Sequence, residues 1–377
     1  MFMTSAKFTF ARSILLSLGL LALPLSVFAH DDDRHSRDVP EAVYTISNAT
    51  DGNRVLTFSR NAHGELTHGF DYPTGGLGTG GSLGNQGALA MTNDGRWLIT
   101  VNAGSHEISV FSVREHALVL TDIVPSGGKR PISVTVADNL VYVLNAGGAA
   151  GASDNISGFY LTEHGRLYAV PGSTRSLSGP NVGPAQISFG PRGDVLIVVE
   201  KATNLIDSFV VDDDGRAGPA ISTPSAGATP FGFSISSKGY LFVSEAVQSA
   251  LSSYKINANG TLTLVTPSLV NHQAAACWVV LSRNEKFAYT ANAASNSISG
   301  YKIAPNGEAT LLDATGLTAA TDAHPLDMTV TNDGKFLYSL DTTAATIVGF
   351  RTNADGGLTR VSSFSGLPST ATGLVAR

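Results

Sequence analysis

Apolar and polar positions alternate in blocks too short for helices. His324 to Val361 shows the pattern most clearly. MTV is followed by Asn332-Asp333-Gly334, then FLYSL closed by Asp341, then TIVGF, then Asn353-Ala354-Asp355-Gly356-Gly357, then LTRV. Asp-Gly between apolar runs predicts a tight hairpin, because such turns need a positive φ that glycine adopts without a Cβ penalty. The unit therefore reads as a four-stranded antiparallel meander.

Copies of this unit tile the chain. The second run ends in a polar residue each time: VYTIS-Asn48, WLITV-Asn102, VYVL-Asn145, VLIVV-Glu200, YLFVS-Glu245, FAYTA-Asn292 and FLYSL-Asp341, spaced by about 43 to 55 residues. Third runs follow (VLTFS, ISVFSV, ISGFYL, LIDSFVV, LSSYKI, ISGYKI, TIVGF), and most then turn at a glycine, as at His63-Gly64, His164-Gly165 and Asp214-Gly215. Seven four-stranded repeats of this length predict an all-β, seven-bladed propeller. No apolar 3.6-residue period persists for a dozen residues, so helix is nearly excluded. The first repeat lacks its own first strand. Thr372-Gly373-Leu374-Val375-Ala376 is available to supply it, so the C-terminus is expected to provide the inner strand of blade 1 and close the ring.

The N-terminus reads differently. Lys7 and Arg12 precede the apolar run Ile14 to Phe28, and Val27-Phe28-Ala29 has the form of a secretory cleavage site. The expected organisation is a signal peptide at 1–29, a disordered acidic and His-containing leader at 30–40, and the propeller at 41–377. A retained anchor is the competing reading of the apolar run, though it is short for a membrane span. The mature chain is expected in the periplasm or outside the cell, with no membrane association after cleavage.

Removing residues 1–29 takes away two basic residues and no acid, leaving 22 Lys and Arg against 30 Asp and Glu, a net of −8. Such a surface, without a basic stripe, argues against a nucleic-acid partner. Cys277 is the only cysteine, so stability must come from the core. The leader His30-Asp31-Asp32-Asp33-Arg34-His35 could gather a divalent cation, but charge runs of this kind are ordinarily solvated, and no metal site is assigned.

Propeller geometry places the starts of the inner strands and the ends of the second strands around one mouth of the central channel, where ligands bind. Glu200 and Glu245 are candidate general bases, Arg130 and Lys201 candidate oxyanion stabilisers, and His324 a candidate proton shuttle. Gln186, Asn102, Asn145, Trp278, Asn292, Asp327 and Asp341 are the candidate ligand-binding set. Asn, Asp and Glu at strand ends also cap turns and satisfy backbone groups, so a structural reading stands beside the functional one. Asp212-Asp213-Asp214-Gly215 occupies a hairpin position common to the blades and is read as a turn, not a calcium loop. Cys277 is read as a buried structural thiol. Gly75-Gly76-Leu77-Gly78-Thr79-Gly80-Gly81 is read as a flexible loop, since no helix follows it.

VYVLNAG (Val141 to Gly147), DGKFLYSLD (Asp333 to Asp341) and GPAQISFGPRGDVLIVVEKA (Gly183 to Ala202) carry a resemblance to the seven-bladed propeller lactonases. That family includes bacterial 6-phosphogluconolactonases and fungal carboxymuconate-lactonising enzymes. The resemblance implies cofactor-independent opening or formation of lactone rings, as a hydrolase or cycloisomerase. It also implies a Gly-Pro-Arg-His opening to one inner strand and a Glu after the following second strand. Here those positions read Gly183-Pro184-Ala185-Gln186, with Lys201 in place of the Glu and Glu200 beside it. His324-Pro325-Leu326 partly matches a second family segment, His-Pro-His. The expected partner is a small lactone or sugar-like ligand. The alternative is a non-catalytic propeller that binds a ligand or a protein.

Overall fold

The computed structural model describes residues 41–115 and 117–377; the signal peptide and leader expected at 1–40 lie outside them. Seven antiparallel sheets follow one another. Their inner strands, in blade order, are Thr372–Ala376, Leu89–Met91, Pro131–Ala137, Pro184–Phe189, Pro230–Ile235, Ala276–Leu281 and Pro325–Val330. Their second strands are Ala42–Ile46, Trp97–Asn102, Leu140–Asn145, Val195–Glu200, Tyr240–Glu245, Phe287–Asn292 and Phe336–Asp341. The seven-bladed architecture expected from the repeats is the one observed. In blades 3 and 6 the outermost strand is broken into two short pieces. Among the described residues the one helical turn is the 3-10 segment Gly147–Ala150.

Each second strand is sandwiched between neighbouring blades, and several, such as Val195–Glu200, are buried along their whole length. This is why they read as continuous apolar runs rather than as alternating ones. The outer strand Leu66–Pro73 is mostly exposed, which fits its mixed composition.

Several blades are fastened by an aromatic under the neighbouring hairpin. Tyr142, Tyr289 and Tyr338 donate their hydroxyls to the carbonyls of Gly215, Gly356 and Gly64, at 2.8, 2.9 and 2.8 Å. The hairpin glycines answer two demands at once. Gly307 has φ +81°, and a Cβ there would fall 2.2 Å from the Tyr240 ring. A second fastening repeats on the opposite side of the ring. Arg130, Thr229 and His324, which open inner strands, all have φ between 54° and 58°. Their backbone N–H groups donate to the residue closing the preceding blade's second turn: His106 Nδ1 at 3.1 Å, Asn204 Oδ1 at 2.7 Å and Asn296 Oδ1 at 2.8 Å. Because the conformation recurs, the positive φ of Arg130 and His324 belongs to the blade entry and not to strain at a catalytic centre.

The ring closes as expected. Tyr44 pairs with Val375 and Val43 with Ala376, and the Arg377 N–H donates to the Ala42 carbonyl at 2.8 Å. Arg60 of blade 1 reaches Asp333 of blade 7 at 3.2 Å, pairs with Glu41, and lies over the Phe336 ring.

The hub is not an open channel. The segment entering blade 2, from Leu83 to Gly87, crosses it and bonds to five blades. The Asn85 amide donates to the Ile132 carbonyl, and Thr372 Oγ1 donates to Asn85 Oδ1 at 3.3 Å. The Gln86 N–H donates to the Ala185 carbonyl at 3.1 Å, while its side-chain amide joins both backbone groups of Val279, at 2.8 and 3.1 Å. The Gly87 N–H reaches Asp327 Oδ2 at 3.3 Å. The Gly-rich stretch before this plug, expected to be a flexible loop, is tied down: the N–H groups of Gly78 and Gly80 donate to the carbonyls of Ala49 and Asn48 at 2.7 and 2.8 Å. Glycine here serves close approach, since a Cβ on Gly78 would meet the Asn48 backbone at 2.0 Å.

Candidate functional site

The polar residues that end the second strands do not gather around the hub. Asn102, Asn145, Glu200, Glu245, Asn292 and Asp341 are all fully buried. Each turns into its own blade and anchors the chain arriving from the preceding one. Asn102 Oδ1 accepts from Thr74 Oγ1 at 2.7 Å, Asn145 Nδ2 donates to the Ser126 carbonyl at 3.2 Å, and Asn292 Oδ1 accepts from Asn271 Nδ2 at 2.9 Å. Asp341 Oδ2 accepts from the Asp322 N–H at 2.6 Å. Burial pushes the Asp341 carboxyl up to about 6.

Glu200 and Glu245 occupy the same place on neighbouring blades. Glu200 accepts from the Ser178 N–H at 3.0 Å, from the Ser178 hydroxyl, and from Thr203 Oγ1 at 2.6 Å. Glu245 accepts from the Gly227 N–H at 2.8 Å and from the hydroxyls of Ser252 and Ser268. Both oxygens of each carboxylate are therefore occupied. Asp207, absent from the sequence-derived set, is fully buried near Glu200. Its carboxyl is pushed up, first by burial and then by the proximity of Glu200. The signal was available in the repeat: Asp207 stands where Ser109, Ser157, Ser252 and Ser299 stand elsewhere.

Three other candidates hold the hub together. Gln186 joins the N–H and carbonyl of Phe233 at 2.7 and 3.0 Å, bridging blades 4 and 5 as Gln86 bridges blades 2 and 6. Trp278 donates its indole N–H to the Asn85 carbonyl at 2.8 Å and packs 4.9 Å from the Phe231 ring. Asp327 is buried among backbone donors, with Oδ1 accepting from the Met328 N–H at 2.9 Å, and burial pushes it up to about 7. His324 is exposed at the entry to blade 7.

Arg130 and Lys201 are the sequence-derived pair that the structure does bring together. Lys201 follows the second strand of blade 4, and its Nζ donates to the Pro184 carbonyl at 3.2 Å and to the Gly84 carbonyl of the plug. The same ammonium lies 4.8 Å from the centroid of Phe231. Burial lowers its pKa to about 8, with Cys277 opposing the shift and Arg130 adding to it. Cys277, buried nearby, is pushed up to about 12 by burial, which keeps it a thiol near neutral pH. The Arg130 Nε is buried and has no hydrogen-bond partner among the described residues, and none of them forms an ion pair with its guanidinium. His106, also missed from sequence, places Nδ1 3.1 Å from the Arg130 N–H and 3.3 Å from the Ala103 carbonyl. Two cations without acids beside them can take an anionic or developing anionic oxygen. Among the described residues no three His, Cys, Asp or Glu side chains cluster to hold a metal.

The profile of the family described as "Lactonase, 7-bladed beta-propeller" matches residues 41–167 and 263–372, well over half of the chain. The chain belongs to this lactonase family. The unmatched stretch between them holds blade 4 and most of blade 5, including Lys201, Glu200 and Glu245. Among solved structures, the lactonase-family chain is similar to a candidate 6-phosphogluconolactonase of Bacteroides fragilis, at 18% identity and a TM-score of 0.71, covering 92% of this chain and 100% of that one. It is also similar to a periplasmic gluconolactonase of Pseudomonas aeruginosa, at 15% identity and a TM-score of 0.67, covering 88% of this chain and 98% of that one. A Lactobacillus plantarum protein aligns at 16% identity and a TM-score of 0.71, covering 90% and 99%. At these identities the likeness concerns the fold. No curated protein matches the sequence.

Proposed function

We propose that this lactonase-family propeller is an exported protein that opens or rearranges a lactone at the hub mouth, with Arg130 and Lys201 facing the carbonyl oxygen. The supporting observation is the unpaired cation pair on blades 3 and 4. Attack of water on a lactone carbonyl develops negative charge on its oxygen, and cations fixed in a partly dehydrated site stabilise that charge. The same pair then holds the carboxylate of the ring-opened product. Export rests in this proposal on the N-terminal reading, and a periplasmic gluconolactonase of the same fold supports it.

Hydrolysis also needs a base. Glu200 and Glu245 keep that role in the proposal only through a rearrangement that frees an oxygen from its hydroxyl and N–H donors. Their occupied state favours a second reading: a propeller that binds a lactone or hydroxy acid without turning it over. Proton release from a panel of five- and six-membered lactones separates the two. Turnover that Arg130→Gln and Lys201→Met both reduce supports the first reading, and turnover that neither changes overturns the assignment. No turnover, with a ligand still bound, supports the second.

A further inference from the structure

The plug divides the hub, and the face away from the mouth has a cavity of its own. It encloses about 340 Å³, at the small end of the range for metabolite pockets. Gly87 and Gln186 form part of its lining, and Met91, Val136 and Ile187 give it apolar wall. Its rim comes from one recurring place in the blades, the turn between inner and second strands. Blades 2, 6 and 7 contribute Asn93, Arg283 and Asn332 from equivalent turn positions, which read Thr-Asn-Asp-Gly, Ser-Arg-Asn-Glu and Thr-Asn-Asp-Gly.

Arg283 is held in place there. Its Nε donates to the Asn332 carbonyl at 3.2 Å, and its stem lies against Gly334, where a Cβ would approach it to 2.9 Å. The turn aspartates next to the two rim asparagines are engaged elsewhere. Asp94 accepts from Thr92 Oγ1 and the Arg96 N–H, and Asp333 from Thr331 Oγ1, the Lys335 N–H and Arg60. Among the described residues Arg283 has no acidic partner, on a chain whose net charge is negative. A second cation adjoins the rim: the Arg377 guanidinium lies beside Gly95, and its buried Nη1 has no hydrogen-bond partner.

We propose that this far-face cavity is a second ligand site, independent of the mouth, for a small hydroxy-carboxylate. The Arg283 guanidinium takes the carboxylate through its terminal nitrogens, which the Asn332 contact leaves unused. The side-chain amides of Asn93 and Asn332 bond the hydroxyls, and the carbon chain lies on Met91 and Val136. An uncharged polyol fills the same volume without the charge-assisted contact and binds much more weakly.

Calorimetric titration of the mature protein with D-gluconate, with D-glucose as the uncharged control, tests this. Gluconate is expected to bind the Arg130→Gln/Lys201→Met double variant as it binds the far face of the wild type. Arg283→Gln should weaken that far-face binding at least tenfold, with lactone turnover unchanged. Arg283→Lys, which keeps the charge and loses the fork, should fall between them. Equal far-face affinity in Arg283→Gln and wild type, glucose binding as tightly as gluconate, or no gluconate binding to the double variant would each overturn the proposal. Because the double variant removes the mouth cations and none of the residues lining the far-face cavity, failure of one site is distinguishable from failure of the other.

Discussion

The Lys201 ammonium lies 4.8 Å from the centre of the Phe231 ring while donating to two backbone carbonyls. The ring and the carbonyls favour the charged form, and burial works against it, lowering the pKa to about 8. Near neutral pH the group is therefore mostly cationic, within a unit of losing its charge. Affinity for an anionic ligand at the mouth should fall as pH rises through about 8, and Lys201→Met should remove that dependence. Loss of a charge-assisted hydrogen bond of ~1.5–3 kcal/mol corresponds to roughly ten- to hundredfold weaker binding at pH 7. Titrations at pH 6.5 and 9 check both statements.

Asp327 should make the fold less stable as pH rises. Its carboxyl is pushed from 3.8 to about 7 by burial, so the folded state holds a proton that the unfolded state has released across that window. Stability therefore falls between about pH 4 and pH 7, by at most ~1.4 kcal/mol per pH unit from this one group, and levels off above. Asp327→Asn should flatten that slope. Denaturant melts of both proteins at pH 4.5 and 7 measure the difference.

Glu245→Ala is expected to act on stability. It strands the buried hydroxyl of Ser252 and the half-buried Gly227 N–H and Ser268 hydroxyl. Each unsatisfied group costs ~1–3 kcal/mol before relaxation, so a loss of about 3 kcal/mol or more should appear in chemical unfolding. Glu245→Gln, which retains an acceptor, should lose less.

Deleting Thr372–Arg377 should be far more damaging than its length suggests. Blade 1 would lose its inner strand and the ring its seam, leaving the edge at Val43 and Tyr44 unpaired. A shortened chain that still unfolds in one cooperative step at the wild-type midpoint would contradict the closure.

The fold was legible because the repeat is local. Second strands ending in Asn, Asp or Glu, together with the hairpin glycines, specify blades, and Thr372–Ala376 was identifiable as the missing strand by counting. The site was less legible because the same polar repeat reads equally well as a funnel or as a set of anchors. Asn102 and Glu200 look like mouth residues in a linear sequence. Only the arrival of Thr74 and Ser178 from preceding blades turns them inward. The plug was hidden for a similar reason: nothing local in Leu83–Gly87 says that its partners lie on five different blades. Arg130 and Lys201 were legible as candidates because they are charges at the blade openings, and no described residue forms an ion pair with either.

A crystal structure grown with the hydroxy acid from an opened lactone tests the mouth site most directly. The account predicts its carboxylate about 3 Å from Arg130 and Lys201, with Glu200 and Glu245 still bonded within their blades. A ligand seated against either glutamate, with Arg130 and Lys201 untouched, would contradict it.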